Sequence, residues 1–309
     1  MTSSRGFKEK SMPPAAPKPN RPPVPPHLRH VVRRAPLETS PEVSGERFLF
    51  LGGLHRSGTS ILHRLLRAHP EVSGFAETGV PQDEGQLLQS VYPPAWVYGG
   101  PGRFAFHAEA HLTETSDLVS PVNRARLLRE WGAYHDLGRR VLMEKSPPNL
   151  IWSRFLQALF PGARFVFIVR HPIPVALATL RWAKTSMPEL LAHWTAAHRI
   201  LLDDLARIDH AKVLRYEDFV ADPARRLGAL CRFAGLSPIA PAESVADHNA
   251  RYLALWQEKR DAAAEAERRL ASADREAAAL FARFGYGLSE PYVAPWQAAG
   301  PYDLMAGSR

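Results

Sequence analysis

The chain has one cysteine, Cys231, among 309 residues, so it forms no internal disulfide and no multi-cysteine metal cluster. A reducing compartment is the simplest expectation. No run of 18 or more apolar residues occurs, which excludes a membrane-spanning helix, and the N-terminus lacks the apolar stretch of a secretory signal. The expected location is cytoplasmic. No internal repeat is visible, and no pair of carboxylates is evidently poised for Mg²⁺. What the chain does have is length and a 45% share of hydrophobic residues, enough for a substantial core.

Bulk basicity is also missing where it would matter. The formal net charge is +8, but residues 1–36 hold eight Lys/Arg against the single acid Glu9, so the remainder carries only +1. No nucleic-acid partner is expected from so even a balance. The same stretch holds nine of the 28 prolines, Pro22, Pro23, Pro25 and Pro26 among them. Residues 1–44 therefore read as a disordered, proline-rich basic tail, and 45–309 as one domain. A PxxP ligand or a nucleic-acid arm is the alternative to a plain solvated tail.

From Glu46 onward, short β-rich runs alternate with longer helical patterns, the signature of a parallel sheet covered by helices. Strands are expected at Arg47–Leu51, Val141–Met143, Arg164–Val169 and Lys212–Leu214. Helices are expected after Ser60 on the face Ile61, Leu62, Leu65 and Leu66, then at Asn149–Phe160, Pro174–Lys184, Pro188–Ile208 and Pro223–Ala234. Residues 78–120, rich in Pro, Gly, His and aromatics, read as an irregular active-site wall or lid. Tyr252–Phe284 reads as a long helix, broken or not, packed on the sheet and stopped at Gly285; a dimerising coiled coil is a weaker reading because its heptads lapse. A homodimer remains open.

The first strand runs into Gly53-x4-Gly58-Thr59-Ser60 and then a helix. Such a loop curls on its glycines, converges its backbone N–H groups and adds the positive end of the helix, which suits an anion. An ordinary tight strand-to-helix turn is the competing reading. In a nucleotide triphosphatase a Lys would follow the second glycine, but Thr59 stands there, and the cation Arg56 precedes the glycine. The strand Arg164–Val169 ends in Arg170-His171-Pro172 where an acidic metal ligand would be expected. Cations and hydroxyls without a metal suit a transferred group less charged than a γ-phosphate.

HRSGTSILHRLLRAHP (His55–Pro70) resembles the 5′-phosphosulfate loop of sulfotransferases that use 3′-phosphoadenosine 5′-phosphosulfate (PAPS), and FVFIVRHPIPVALAT (Phe165–Thr179) resembles their 3′-phosphate-binding strand and turn. VLRYEDFVADPARRLGALCRFAGL (Val213–Leu236) is similar to a third family segment. The resemblance covers about residues 46–236, is nearest to the branch with protein-tyrosine and bacterial sulfotransferases, and implies a P-loop-type three-layer α/β sandwich.

It also implies a reaction: transfer of the sulfuryl group of PAPS to a hydroxyl or amine, leaving 3′,5′-ADP, with no metal. AHPEVSGFAETGVP (Ala68–Pro81) and EKSP (Glu144–Pro147) are similar to the segments holding a carboxylate base and a catalytic lysine. On that reading Glu77 is the general base, and Arg56 and Lys145 balance transition-state charge. Ser57, Gly58, Thr59 and Ser60 hold the 5′-phosphate, Arg170 grips the 3′-phosphate, and Tyr216 contacts the nucleotide. From residue type alone, Glu77 reads first as a surface carboxylate, a preference that the resemblance reverses, while Lys145 is equally a snorkelling strand-end lysine and Tyr216 equally a core tyrosine. The family serine eight positions after Arg170 is Ala178 here, so either Thr179 substitutes for it or the second 3′-phosphate contact is lost.

His55, His107, His111 and His135 are alternative bases. Tyr92, Trp96, Tyr98, Phe104 and Phe106 either line an acceptor pocket or pin the insertion to the core. The acceptor stays open among a tyrosyl peptide, a glycan, a lipid headgroup and a small molecule. A phosphotransferase with the same loop, and an inactive nucleotide-binding protein, are the competing functions.

Overall fold

The computed structural model describes residues 34–181, 183–288 and 302–303. Five strands, β1 (Phe48–Gly53), β2 (Val72–Gly74), β3 (Val141–Lys145), β4 (Arg164–Val169) and β5 (Ala211–Arg215), form one sheet in the order β2-β3-β1-β4-β5, every pair parallel. Alternation along β1 explains why the strand is apolar throughout. Phe48 and Phe50 point into one core with Trp131, Phe160 and Phe165, while Leu49 and Leu51 point into the other with Leu62, Leu66, Val166 and Leu214. A strand covered on both faces has no polar side to show.

The helices α1 (Thr59–Arg67), α2 (Pro121–Gly132), α3 (Asn149–Leu159), α4 (Pro172–Leu180), α5 (Met187–Leu205), α6 (Tyr216–Ala221) and α7 (Pro223–Phe233) follow the strands. Parallel register brings the ends of β1, β3, β4 and β5 to one edge, with Leu51 opposite Lys145, Gly53 opposite Ile168, and Val169 opposite Arg215. The chain crosses from β3 past β1 to β4, and ligands of doubly wound sheets bind at this carboxyl edge. The loop after β1, Lys145, Arg170 and Tyr216 therefore start as neighbours.

The α/β class, the parallel sheet and the flanking helices stand as the sequence implies, with four differences. β2 is three residues long, too short to show a period. α2 is announced only by its cap, Ser120 accepting from the Asn123 N–H (3.2 Å) ahead of Pro121. The expected long C-terminal helix is three, α8 (Ala250–Glu258), α9 (Arg260–Ala273) and α10 (Ala277–Arg283), broken where Lys259 (ψ 47°) and Asp274 (ψ 94°) leave helical geometry. They pack chiefly on α4 and α5, as an outer layer.

The fourth difference concerns residues 34–44, which composition assigns to the tail. They lie along α2: the Leu37 N–H donates to the Arg129 carbonyl (3.0 Å), the Arg34 N–H donates to the Tyr134 hydroxyl (2.8 Å), and Val43 is buried. Earlier tail residues lie outside the described ones. Residues 78–120 hold only short 3-10 turns and no described strand or α-helix before α2. Their aromatics mainly pin them down. The Tyr92 ring meets Trp152 at 5.0 Å and Phe155 at 5.5 Å, while Trp152 Nε1 donates to the Ala110 carbonyl (2.7 Å). Phe104 is fully buried against His193, and Phe106 is half exposed.

Candidate active site

The loop between β1 and α1 is shaped by two glycines that nothing else can replace. Gly53 has φ 152°, and a Cβ there would lie 2.4 Å from the Ile168 carbonyl oxygen of β4. Gly58 has φ 107°, and its Cβ would lie 2.9 Å from the Tyr216 ring. Between them Arg56 holds a left-handed φ of 71°, a conformation that costs an ordinary residue about 1–2 kcal/mol. Its carbonyl oxygen accepts from Arg170 Nη1 at 2.8 Å. Strain in the loop is thus coupled to the cation at the end of β4.

Arg170 is held on three sides. Besides the Arg56 carbonyl, Nε donates to Asn249 Oδ1 (2.8 Å), and the guanidinium carbon sits 4.1 Å from the centre of the Tyr216 ring. Tyr216, the first residue of α6, is itself tied through its hydroxyl to the Ala246 carbonyl and the His248 N–H, both at 3.2 Å. Burial pulls the Arg170 pKa below its ordinary value. Its Nη2 is buried and has no hydrogen-bond partner among the described residues. The Ser57 hydroxyl, fully buried in the loop, has none either.

Arg56, Gly58, Thr59, Ser60, Ile61, Arg64, Arg170, Tyr216, residues 243–246 and His248 line one cavity of about 320 Å³. Three arginines and the N-terminus of α1 face it, and the carboxylate among its walls, Glu243, is already paired with Arg64 (2.8 Å) at the exposed rim. Buried donors lacking partners are costly unless a ligand supplies acceptors. The site therefore fits an anion with groups at both the loop and Arg170.

Lys145 is placed differently. The side chain is buried and does not line this cavity; Nζ donates to the Gln82 carbonyl (2.7 Å) and lies 3.6 Å from Glu84 Oε1. The snorkelling reading is wrong, because the ammonium points inward to a counter-charge. Gln82 also accepts from the Ser60 hydroxyl (3.1 Å), so one residue bridges the loop and Lys145. Beneath Lys145 is a buried network. Ser146 donates to Glu144 Oε1 (2.6 Å), Asn149 Nδ2 donates to Glu144 Oε2, and Ser146 accepts from the Gln86 N–H (3.0 Å). Burial pushes Glu144 up to about 7.

Glu77 follows β2 at the same carboxyl edge, exposed, in a left-handed conformation (φ 52°) shared by Gln82 (57°) and Asp83 (51°). Such conformations cluster at functional sites. Thr179 lies elsewhere: its hydroxyl donates to the Val175 carbonyl of its own helix (2.7 Å), and the residue faces Leu54, His55 and His193. It is not among the residues lining the Arg170 cavity. Ala178 is buried without a hydroxyl to offer.

Of the histidines, His55 is pushed down to about 3 by burial and by Lys145 and Arg56, and stays neutral. His135 is pushed down to about 3 by burial and contacts Ser73, away from the loop. His111 is engaged by Asp204 (2.8 Å), and His107 is exposed in the insertion. Sequence reasoning missed Arg64, Asn249 and Glu217. Arg64 lies four residues after Ser60 on the same helical face, a signal that was available. Residues 243–249 have no periodicity that would announce them.

A profile described as Sulfotransferase family matches residues 49–241, more than half of the chain. Among curated proteins the chain is 28% identical over 198 residues to protein-tyrosine sulfotransferase 2 of Gallus gallus, covering 61% of this chain and 51% of that one. It is 26% identical over 194 residues to protein-tyrosine sulfotransferase 1 of Danio rerio, covering 60% and 52%. The chain spans about half the length of these relatives. Among solved structures, a sulfotransferase from Alicyclobacillus acidocaldarius aligns over 76% of this chain and 97% of that one, at 20% identity and a TM-score of 0.43. With the sequence match running from the strand before the anion loop to beyond α7, the chain belongs to the Sulfotransferase family.

Proposed function

We propose that the chain moves a sulfuryl group from PAPS to a hydroxyl or amine acceptor. The observation that carries this reading is the cavity with an unpartnered buried donor, Arg170 Nη2, on a residue of its wall and three residues of the glycine loop, Gly58, Thr59 and Ser60, beside it. PAPS supplies the sulfuryl group and a phosphate as leaving group. Gly58, Thr59 and Ser60 bind the 5′-phosphate with backbone and hydroxyl donors at the positive end of α1. Arg170 presents its remaining edge to the 3′-phosphate, and planar guanidinium suits that role. Arg56 neutralises charge that develops on the leaving phosphate.

Glu77 takes the acceptor's proton as its oxygen or nitrogen attacks. Its exposure at the carboxyl edge keeps it reachable, and the left-handed backbone at Glu77, Gln82 and Asp83 supports a segment shaped for use. Lys145 stands one hydrogen bond behind Gln82, so it reaches the reacting oxygens once Gln82 yields. The tyrosine sulfotransferase relatives support a peptide acceptor, and a small molecule fits the same chemistry.

The test is thermal stabilisation by 3′,5′-ADP against ATP·Mg²⁺, followed by incubation with labelled PAPS and a cell extract. Stabilisation by 3′,5′-ADP and label transfer abolished by Glu77→Gln are expected. Stabilisation by ATP·Mg²⁺ alone would make the chain a phosphotransferase, and 3′,5′-ADP binding with no Glu77-dependent transfer would make it an inactive nucleotide binder.

A further inference from the structure

Asn249 lies beyond the stretch that matches the family profile, at the cap of α8, and it is buried. Its side chain joins two elements distant in sequence. Oδ1 accepts from Arg170 Nε (2.8 Å), and Nδ2 donates to Glu217 Oε1 (2.7 Å). Glu217 is a hub. The same Oε1 accepts from the His171 N–H (3.1 Å), and Oε2 accepts from the Tyr286 hydroxyl (2.8 Å).

We propose that Asn249, oriented by Glu217, is a positioning residue that turns Arg170 so that its Nη2 edge faces the cavity. Arg170 Nε can only donate, and both Glu217 oxygens already accept from other groups, so the Asn249 amide turns its oxygen to Arg170 and its NH₂ to Glu217. The flipped amide would set oxygen against carboxylate and NH₂ against guanidinium. The oxygen thus meets Nε, and the Arg56 carbonyl meets Nη1. With Tyr216 under the guanidinium face, a planar group fixed along one side presents its opposite edge.

Glu217 secures the same geometry a second way. By holding the N–H of His171, the residue after Arg170, it fixes the backbone from which the guanidinium projects. Asn249 is neutral, so it steers the cation without cancelling the charge that an anionic ligand needs. A carboxylate in its place would pair with Arg170 and compete with that ligand.

The inference rests on the reading of Arg170 as the 3′-phosphate contact, and the experiment separates the two. Binding of 3′,5′-ADP and of adenosine 5′-monophosphate, which lacks the 3′-phosphate, is measured calorimetrically for the wild type and for Asn249→Ala. The wild type is expected to prefer 3′,5′-ADP. In Asn249→Ala that preference falls roughly tenfold, the scale at which outer-shell partners tune the groups they orient, while monophosphate affinity holds.

No preference in the wild type overturns the donor reading and this inference with it. A wild-type preference that survives in Asn249→Ala, or equal losses for both nucleotides, overturns the positioning role alone. Asn249→Ser, whose hydroxyl is one bond too short to reach Arg170, carries the same comparison if the alanine variant does not fold.

Discussion

Arg170 and Lys145 are two buried cations delivered by β4 and β3, the strands on either side of β1, yet their surroundings are opposite. Lys145 has a carboxylate, Glu84, and a carbonyl cap. Arg170 has only neutral acceptors, Asn249 and the Arg56 carbonyl, a ring beneath it, and no carboxylate within 4 Å among the described residues. Burying a cation beside its counter-charge is a structural solution; burying one beside neutral oxygens leaves its field for a ligand. The difference separates a cation that is paired at rest from one that is not.

Removing each cation should expose that contrast. Lys145→Ala strands Glu84 in the interior, and breaking a buried pair typically costs about 3–5 kcal/mol. Denaturant unfolding should show that loss, and the double variant Lys145→Met, Glu84→Gln should recover much of it. A Lys145→Ala protein as stable as the wild type would break the contrast.

Arg170→Ala should instead change stability little and binding much. A hydrogen bond to a charged group is worth about 1.5–3 kcal/mol, so affinity for 3′,5′-ADP should fall roughly 10- to 150-fold. Calorimetry measures it. Affinity for adenosine 5′-monophosphate should hold, and equal weakening of both ligands would refute the 3′-phosphate contact.

The Lys145 side of the comparison can be sharpened by pH. Glu144 has a folded pKa of about 7 against an ordinary 4.5, raised by burial. Between these values the folded protein keeps a proton that the unfolded chain has lost, so stability is greatest below the lower value and falls as pH rises to the upper one. The decline should be about 3 kcal/mol. Glu144→Gln should flatten it in unfolding curves from pH 5 to 8; an unchanged slope would assign it to other groups.

The smallest effect belongs to Thr179. Its hydroxyl bonds its own helix, so Thr179→Val should alter stability by less than about 1 kcal/mol and leave 3′,5′-ADP affinity unchanged in the same titration. A clear loss of affinity would return Thr179 to the donor site.

Legibility in the sequence follows the same division. The Arg170 side was readable because strand-buried apolar runs and a Gly-x4-Gly loop are local patterns, and register then brings Gly53, Val169 and Arg215 to one edge without further instruction. Asn249 was not readable, because its role depends on a hydrogen bond to Glu217, 32 positions away in sequence. Lys145 was located by its segment, but not its burial under Gln82. Gln82 holds a left-handed backbone there, as Asp83 does after it, and neither composition nor periodicity encodes that. Thr179 was misplaced for a related reason: counting along a helix gives the position of a hydroxyl and says nothing about the carbonyl one turn back.

The contact of residues 34–44 with α2 has a practical consequence for dissecting this protein. Leu37 fits against Gly132 so closely that a Cβ there would lie 2.8 Å from its Cδ1, and Val43 is buried in the core that holds Trp131. Trimming the chain at residue 45, where composition suggests the cut, would peel a strap from the sheet's helical cover and leave an apolar seam along α2. A cut just before Arg34 keeps the strap in place.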